Sequence, residues 1–147
     1  MQAIDRSPIV VLGSIAAAAT TGALLAIGRR LGGPSVALAA VGNVVVQAPG
    51  GAGTPPAILV GLALHVVAAF VWTAVFFAVW NRLQRRDIVA ALIVAAGQLA
   101  LSWIVARASG AGIATVVPLG DRVLLALILA LSLVVGMRFA FSPLRNA

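Results

Sequence analysis

The sequence predicts an all-α integral membrane protein, a four-transmembrane-helix bundle built as one membrane domain over residues 1–147. Three observations carry that reading. Of 147 residues, 63% are hydrophobic and only 9% are charged, against roughly 45–50% and about 25% in ordinary soluble domains. A soluble fold of this length exposes much of its chain and could not hide so much apolar surface. Finally, the apolar residues fall into four runs, each near the ~20 residues that a helix needs to cross a ~30 Å hydrocarbon core. Barrel strands would alternate and need only about 10 residues.

The first span covers about residues 7–28, between Arg6 and the Arg29–Arg30 pair. Asp5 precedes Ser7–Pro8, which suits an N-cap followed by Pro at the first helical position. Its apolar core exceeds the 7–15 residues of a secretory signal, and arginines stand where small cleavage-site residues belong. It is therefore expected to remain as the first helix. The second span, about 57–80, runs into Arg82, Arg85 and Arg86. The third, about 88–106, has Gln98 and Ser102 as its polar members. The fourth covers about 123–141, with Arg138 snorkelling to the interface.

Two longer connections share one side. Residues 31–56 hold GGPS, the apolar stretch VALAAVGNVVVQA and PGGAGTPP, and residues 108–120 read ASGAGIATVVPLG. Both are Gly/Pro-rich, partly apolar and too short to span. They are expected as loops skimming the non-cytoplasmic surface, with re-entrant segments as the alternative. SVALAAV and GIATVV, each set between paired helices, also hint at an internal duplication.

The opposite side holds Arg6, Arg82, Arg85, Arg86, Arg138 and Arg145, six of the ten basic residues, all of them Arg. By the positive-inside rule both termini are expected in the cytoplasm of a bacterial inner membrane. Arg29, Arg30, Arg82, Arg85 and Arg86, with Trp80 and Trp103, read as interface anchors that also meet anionic headgroups. The net charge of +7 is thus spent at membrane edges. No basic face with interleaved aromatics exists, so nucleic acid is not an expected partner.

Chemistry is sparse. The chain has no Cys, which removes disulfides, thiolate metal sites and thiol catalysis. Its three acids, Asp5, Asp87 and Asp121, all stand at helix starts, where a carboxylate accepts orphan backbone N–H groups. His65 alone is an ionisable group within a span. Haem ligation by two histidines needs a second His, and the chain has one. Catalysis at His65 needs a nucleophile and an orienting acid, and no acid lies at its depth. No catalytic residue, metal site or cofactor is expected, and the chain is not read as an enzyme.

The small residues Ala18 and Gly22 in span one, and Gly61, Gly97 and Gly136 in the others, predict close helix packing. A polar layer is the sharper expectation. At 1.5 Å per residue, His65 lies about 12 Å inside span two and Gln98 about 12 Å from the matching end of span three. Thr20 and Thr21 lie about 10–12 Å from the end of span one, and Ser132 about 13 Å into span four. Unpaired polar groups are costly in hydrocarbon, so these should turn inward. His65 and Gln98 are expected to make the central contact, with Thr21 or Ser132 in reach.

The stretch GLALHVVAAFVWTAVFFAVW from Gly61 to Trp80, followed by VVPLG and a final apolar helix, resembles small uncharacterised bacterial inner-membrane proteins with four spans. Many of those carry another His in the last span, where this chain has Ser132. The resemblance implies the architecture and no activity. The leading expectation is a non-catalytic accessory or structural subunit of a larger membrane assembly, or a small homo-oligomer, with membrane lipids, other membrane subunits or itself as partners. A small transporter or channel formed by oligomerisation, and a lipid-, quinone- or pigment-binding protein, are the alternatives.

Overall fold

The structure, a computed structural model, describes residues 8–47 and 53–141. Asp5, Arg6, Ser7 and Arg145 of the sequence reading lie outside the described residues. Six helices follow in order: α1 Pro8–Arg30, α2 Val36–Val46, α3 Pro55–Arg82, α4 Asp87–Ser109, α5 Ile113–Val116 and α6 Leu119–Phe141. Of these, α1, α3, α4 and α6 are long and apolar enough to cross a membrane. Several run a few residues beyond the apolar stretch, because their flanks are good helix ends. Two prolines open α3, and Gly110 ends α4 in the left-handed conformation, φ 65°. With 28 residues, α3 is about 42 Å long and must tilt or emerge from the hydrocarbon.

The long helices share a core that includes Leu12, Phe76, Val94, Leu129 and Leu133, one or more from each. A second core, at the other end, joins Leu24 and Ile27 of α1 to Ala37 and Leu38 of α2, Val117 and Leu125. Its existence corrects one expectation. The stretch after the first span is no surface loop: α2 is a helix of 11 residues, and Ala37, Leu38, Ala39, Ala40 and Gly42 are buried.

The fit of α2 against α3 explains why. Leu38 lies beside Gly61 and Gly42 beside Ala57, so the two helices run antiparallel. A Cβ added at Gly42 would overlap the Ala57 carbonyl oxygen, and one at Gly61 would overlap that of Leu38. Each glycine lets the opposing backbone through, and such contacts are what hold helices together where lipid is as apolar as leucine. The Ala18–Gly22 pair does nothing comparable, since both residues are exposed and Gly22 has no neighbour within reach. Gly136 and Gly97 do seat side chains, Leu12 at 3.0 Å and the Trp72 ring at 3.3 Å from an added Cβ.

The described acids sit in the first turns of α4 and α6, yet each binds another element and not its own helix start. Trp80 Nε1 donates to Asp87 Oδ1 at 2.6 Å, and Arg30 Nη2 to Asp121 Oδ1 at 2.6 Å. No side-chain cap bond forms at the start of α4.

Gly61→Ala or Gly42→Ala should therefore lower stability by about 1–3 kcal/mol through overpacking. Gly22→Ala should leave it unchanged or raise it by up to about 1 kcal/mol. Thermal unfolding in detergent measures the difference, and equal effects at Gly22 and Gly61 would refute the close crossing.

Candidate functional site

Thr20 belongs to the buried stripe of α1 with Ala16, Ala17, Leu24 and Ile27. Its hydroxyl donates to the Ala16 carbonyl one turn back, at 2.6 Å. That bond satisfies the hydroxyl within its own helix and leaves the oxygen free to accept. His65 Nε2 lies 2.9 Å from it. The tautomer of His65 sets which of the two donates: an imidazole with Nε2–H donates to the Thr20 oxygen, and one with a bare Nε2 accepts its hydroxyl hydrogen.

Gln98, on α4, meets the same space from the other side. Its Oε1 is buried without a hydrogen-bond partner. Two adjoining cavities share His65, Ala68, Trp72 and Gln98. The larger, about 290 Å³, is completed by Val41 and Val44 of α2, by Leu64, by Leu101, Ser102 and Val105 of α4, and by Gly112, Ile113 and Leu125. The smaller, about 40 Å³, reaches inward to Thr20, Ala69 and Leu129. Ser102 donates to its own helix at Leu99, 2.7 Å away, so its oxygen too is an acceptor. Leu101 at the rim is 48% exposed, which puts the mouth on the outer surface between α3 and α4.

The sequence-derived layer is thus only partly assembled. Thr20 and His65 are bonded, and Gln98 lines the same cavities, but His65 and Gln98 do not form the expected central bond. Trp72 supplies the reason: two turns along α3 from His65, its ring packs on Gly97 and spaces α3 from α4. Ser132 is buried and spends its hydroxyl on Leu129 at 2.8 Å. Thr21 is half-buried, and among the described residues no hydrogen bond joins it to the others. Of the interface anchors, Arg29 is exposed, Arg30 is held by Asp121, and Arg82, Arg85 and Arg86 gather at the α3–α4 turn. Trp103 is exposed with the Arg107 guanidinium 5.3 Å over its ring.

The cavity wall contributed by α2 was missed in sequence because its segment was read as a loop. Its signal was present, an 11-residue apolar run with no Pro and one Gly. Among the described residues no acid lines either cavity, and the side chains present offer hydrogen bonds and shape. Comparison with protein-family models, curated proteins and solved structures gave no match.

Two substitutions separate its bonded member from its unbonded one. Thr20→Val should cost about 0.6–2 kcal/mol through loss of the His65 contact. In protein stripped of bound small molecules, Gln98→Leu should be neutral or stabilising, because it then removes a buried acceptor that has no donor. Thermal unfolding of both variants decides, and a larger loss for Gln98→Leu would show that Gln98 is bonded after all.

Proposed function

We propose that this chain is a non-catalytic, multi-pass protein of a bacterial inner membrane that holds a small lipophilic molecule between α2, α3 and α4. The ligand is of the lipid, quinone or pigment class, and its head carries an O–H or N–H donor to meet Gln98 Oε1, as a lipid hydroxyl or a reduced quinone does. Its polar head lies against His65, Gln98 and Ser102, and its apolar part passes Leu101 into the bilayer. The observation that carries this reading is Gln98 Oε1, buried and unpartnered on a cavity wall that it shares with His65. Among the described residues Asn43 Oδ1, Thr54 Oγ1 and Arg122 Nε are also buried without partners, and Gln98 Oε1 is the one of the four that lines these cavities. A ligand group supplies its partner, where a bond fixing helix register would already be closed. A volume of about 290 Å³ lies at the lower edge of the ~300–1,000 Å³ usual for ligand sites, which suits a head group and not a whole lipid.

The same geometry weighs against a pore within one bundle of these four helices. Past the polar level, Phe76, Leu12, Val94 and Leu133 are fully buried, so no polar stripe continues across. A role as an accessory subunit is compatible with ligand binding but has no geometric feature of its own in its favour.

Extraction in a mild detergent followed by mass spectrometry of bound small molecules tests the ligand. The wild type should retain one lipophilic species, and His65→Ala/Gln98→Leu should retain it roughly 8- to 300-fold less, as expected for two lost hydrogen bonds of about 0.6–1.7 kcal/mol each. Identical content in the two proteins would exclude this cavity. We further propose that both termini and the α3–α4 turn face the cytoplasm, supported by the Arg bias. Because the chain has no Cys, Gln84→Cys should label with an impermeant thiol reagent only after the cells are opened. Labelling in intact cells would reverse the orientation.

A further inference from the structure

At the end remote from α2, the α3–α4 turn and the last turn of α6 enclose two adjoining grooves of about 560 and 280 Å³. Arg85, Asp87 and Arg138 line both, and Arg86 joins them in the smaller. Three guanidinium groups therefore share the grooves with one carboxylate, and that carboxylate already accepts the Trp80 indole N–H. Among the described residues, none of these three arginines is in an ion pair; Arg30–Asp121 is the pair formed there.

Arg85 is held in place. Gln84 and Arg85 adopt left-handed backbone, φ 51° and 68°, which non-glycine residues keep only where their surroundings impose it. The Arg85 guanidinium lies 5.5 Å over the Trp80 ring. That ring is itself fixed, by Asp87 and by stacking on Phe141 at 6.1 Å. Arg138 faces this assembly from α6. The remaining walls are apolar, Met137 and Phe141 in one groove and Ile88, Val89 and Val134 in the other. Two arginines on separate elements, with apolar walls leading away from them, match a phosphate that carries acyl chains. A free anion has no use for those walls.

We propose that these grooves seat the headgroup of an anionic phospholipid, its phosphate between Arg85 and Arg138 and its chains along Ile88, Val89 and Val134. The site is separate from the His65–Gln98 cavity and does not depend on what that cavity binds.

The full chain in neutral detergent, titrated with phosphatidylglycerol or phosphatidylcholine of the same acyl chains and read by native mass spectrometry, tests it. Wild type should prefer phosphatidylglycerol. Arg85→Gln/Arg138→Gln should weaken phosphatidylglycerol binding roughly 30-fold, and Arg138→Gln alone, at an exposed position, roughly 5-fold. Arg107→Gln/Arg122→Gln, at the opposite helix ends, should keep wild-type binding. Thermal unfolding identifies any variant that fails to fold, and the single Arg138→Gln change keeps the comparison decisive in that event. No headgroup preference in wild type, or equal loss in both double variants, overturns the proposal. Displacement of the lipid by excess inorganic phosphate also overturns it, by showing a free-anion site.

Discussion

The approach of α2 to α3 at backbone distance is the contact on which the α2 end of the molecule depends. In water, a short apolar helix can be driven onto its neighbour by the release of solvent. In hydrocarbon that drive is missing, and only shape and weak polar contacts remain. Gly42 and Gly61 supply the shape by letting each carbonyl of the opposing helix into the space a side chain would fill. Once α2 is docked, Ala37 and Leu38 close the second core, and Val41 and Val44 become cavity wall. A side chain at either glycine would push α2 outward, and the cavity would lose that wall.

The two ends of the molecule solve different problems with similar means. In the His65 cavities at the α2 end, the polar groups lie deep, and what separates them is whether each has a partner. Thr20 and His65 have one, and Gln98 Oε1 does not. At the turn end, charged groups are many and shallow, and their positions are set by an aromatic cluster. Trp80 is its centre, since it binds Asp87, stacks on Phe141 and carries Arg85. An anchor residue of the membrane interface thus also organises its charged neighbours.

Much of this was legible in the sequence and some was not, for physical reasons. The four long helices could be read because only lipid accommodates such lengths of apolar residues, and a helix in lipid must satisfy its own backbone. The level of Thr20, His65 and Gln98 followed from rise per residue alone. Rotation about each helix axis did not, because the helices are apolar nearly all round and carry no periodic polar face to orient them. Hence Thr20 rather than Thr21 or Gln98 proved to be the His65 partner, and Ala18–Gly22 faces outward. The α2 helix escaped notice because eleven residues are too few to span, and the run lies between two Gly/Pro-rich stretches. Its partner, Gly61, reads in sequence as a packing residue, with nothing in the spacing to name what packs there. Asp87 and Asp121 were placed at helix starts correctly, but their partners come from elsewhere in the chain, and sequence spacing carries no record of that.

The pairing of the first long helix with the last bears on how the chain is made. Leu12 of α1 sits on Gly136 of α6, and Arg30 holds Asp121, 91 residues later in the sequence. A ribosome adding about 5–20 residues per second needs roughly 5–20 s to produce that partner. Throughout this interval α1 is already synthesised, with the face around Leu12 and Ala16 still waiting for α6. The α1–α6 contact therefore closes late, and the ion pair at the membrane edge cannot exist in any nascent fragment that stops short of α6.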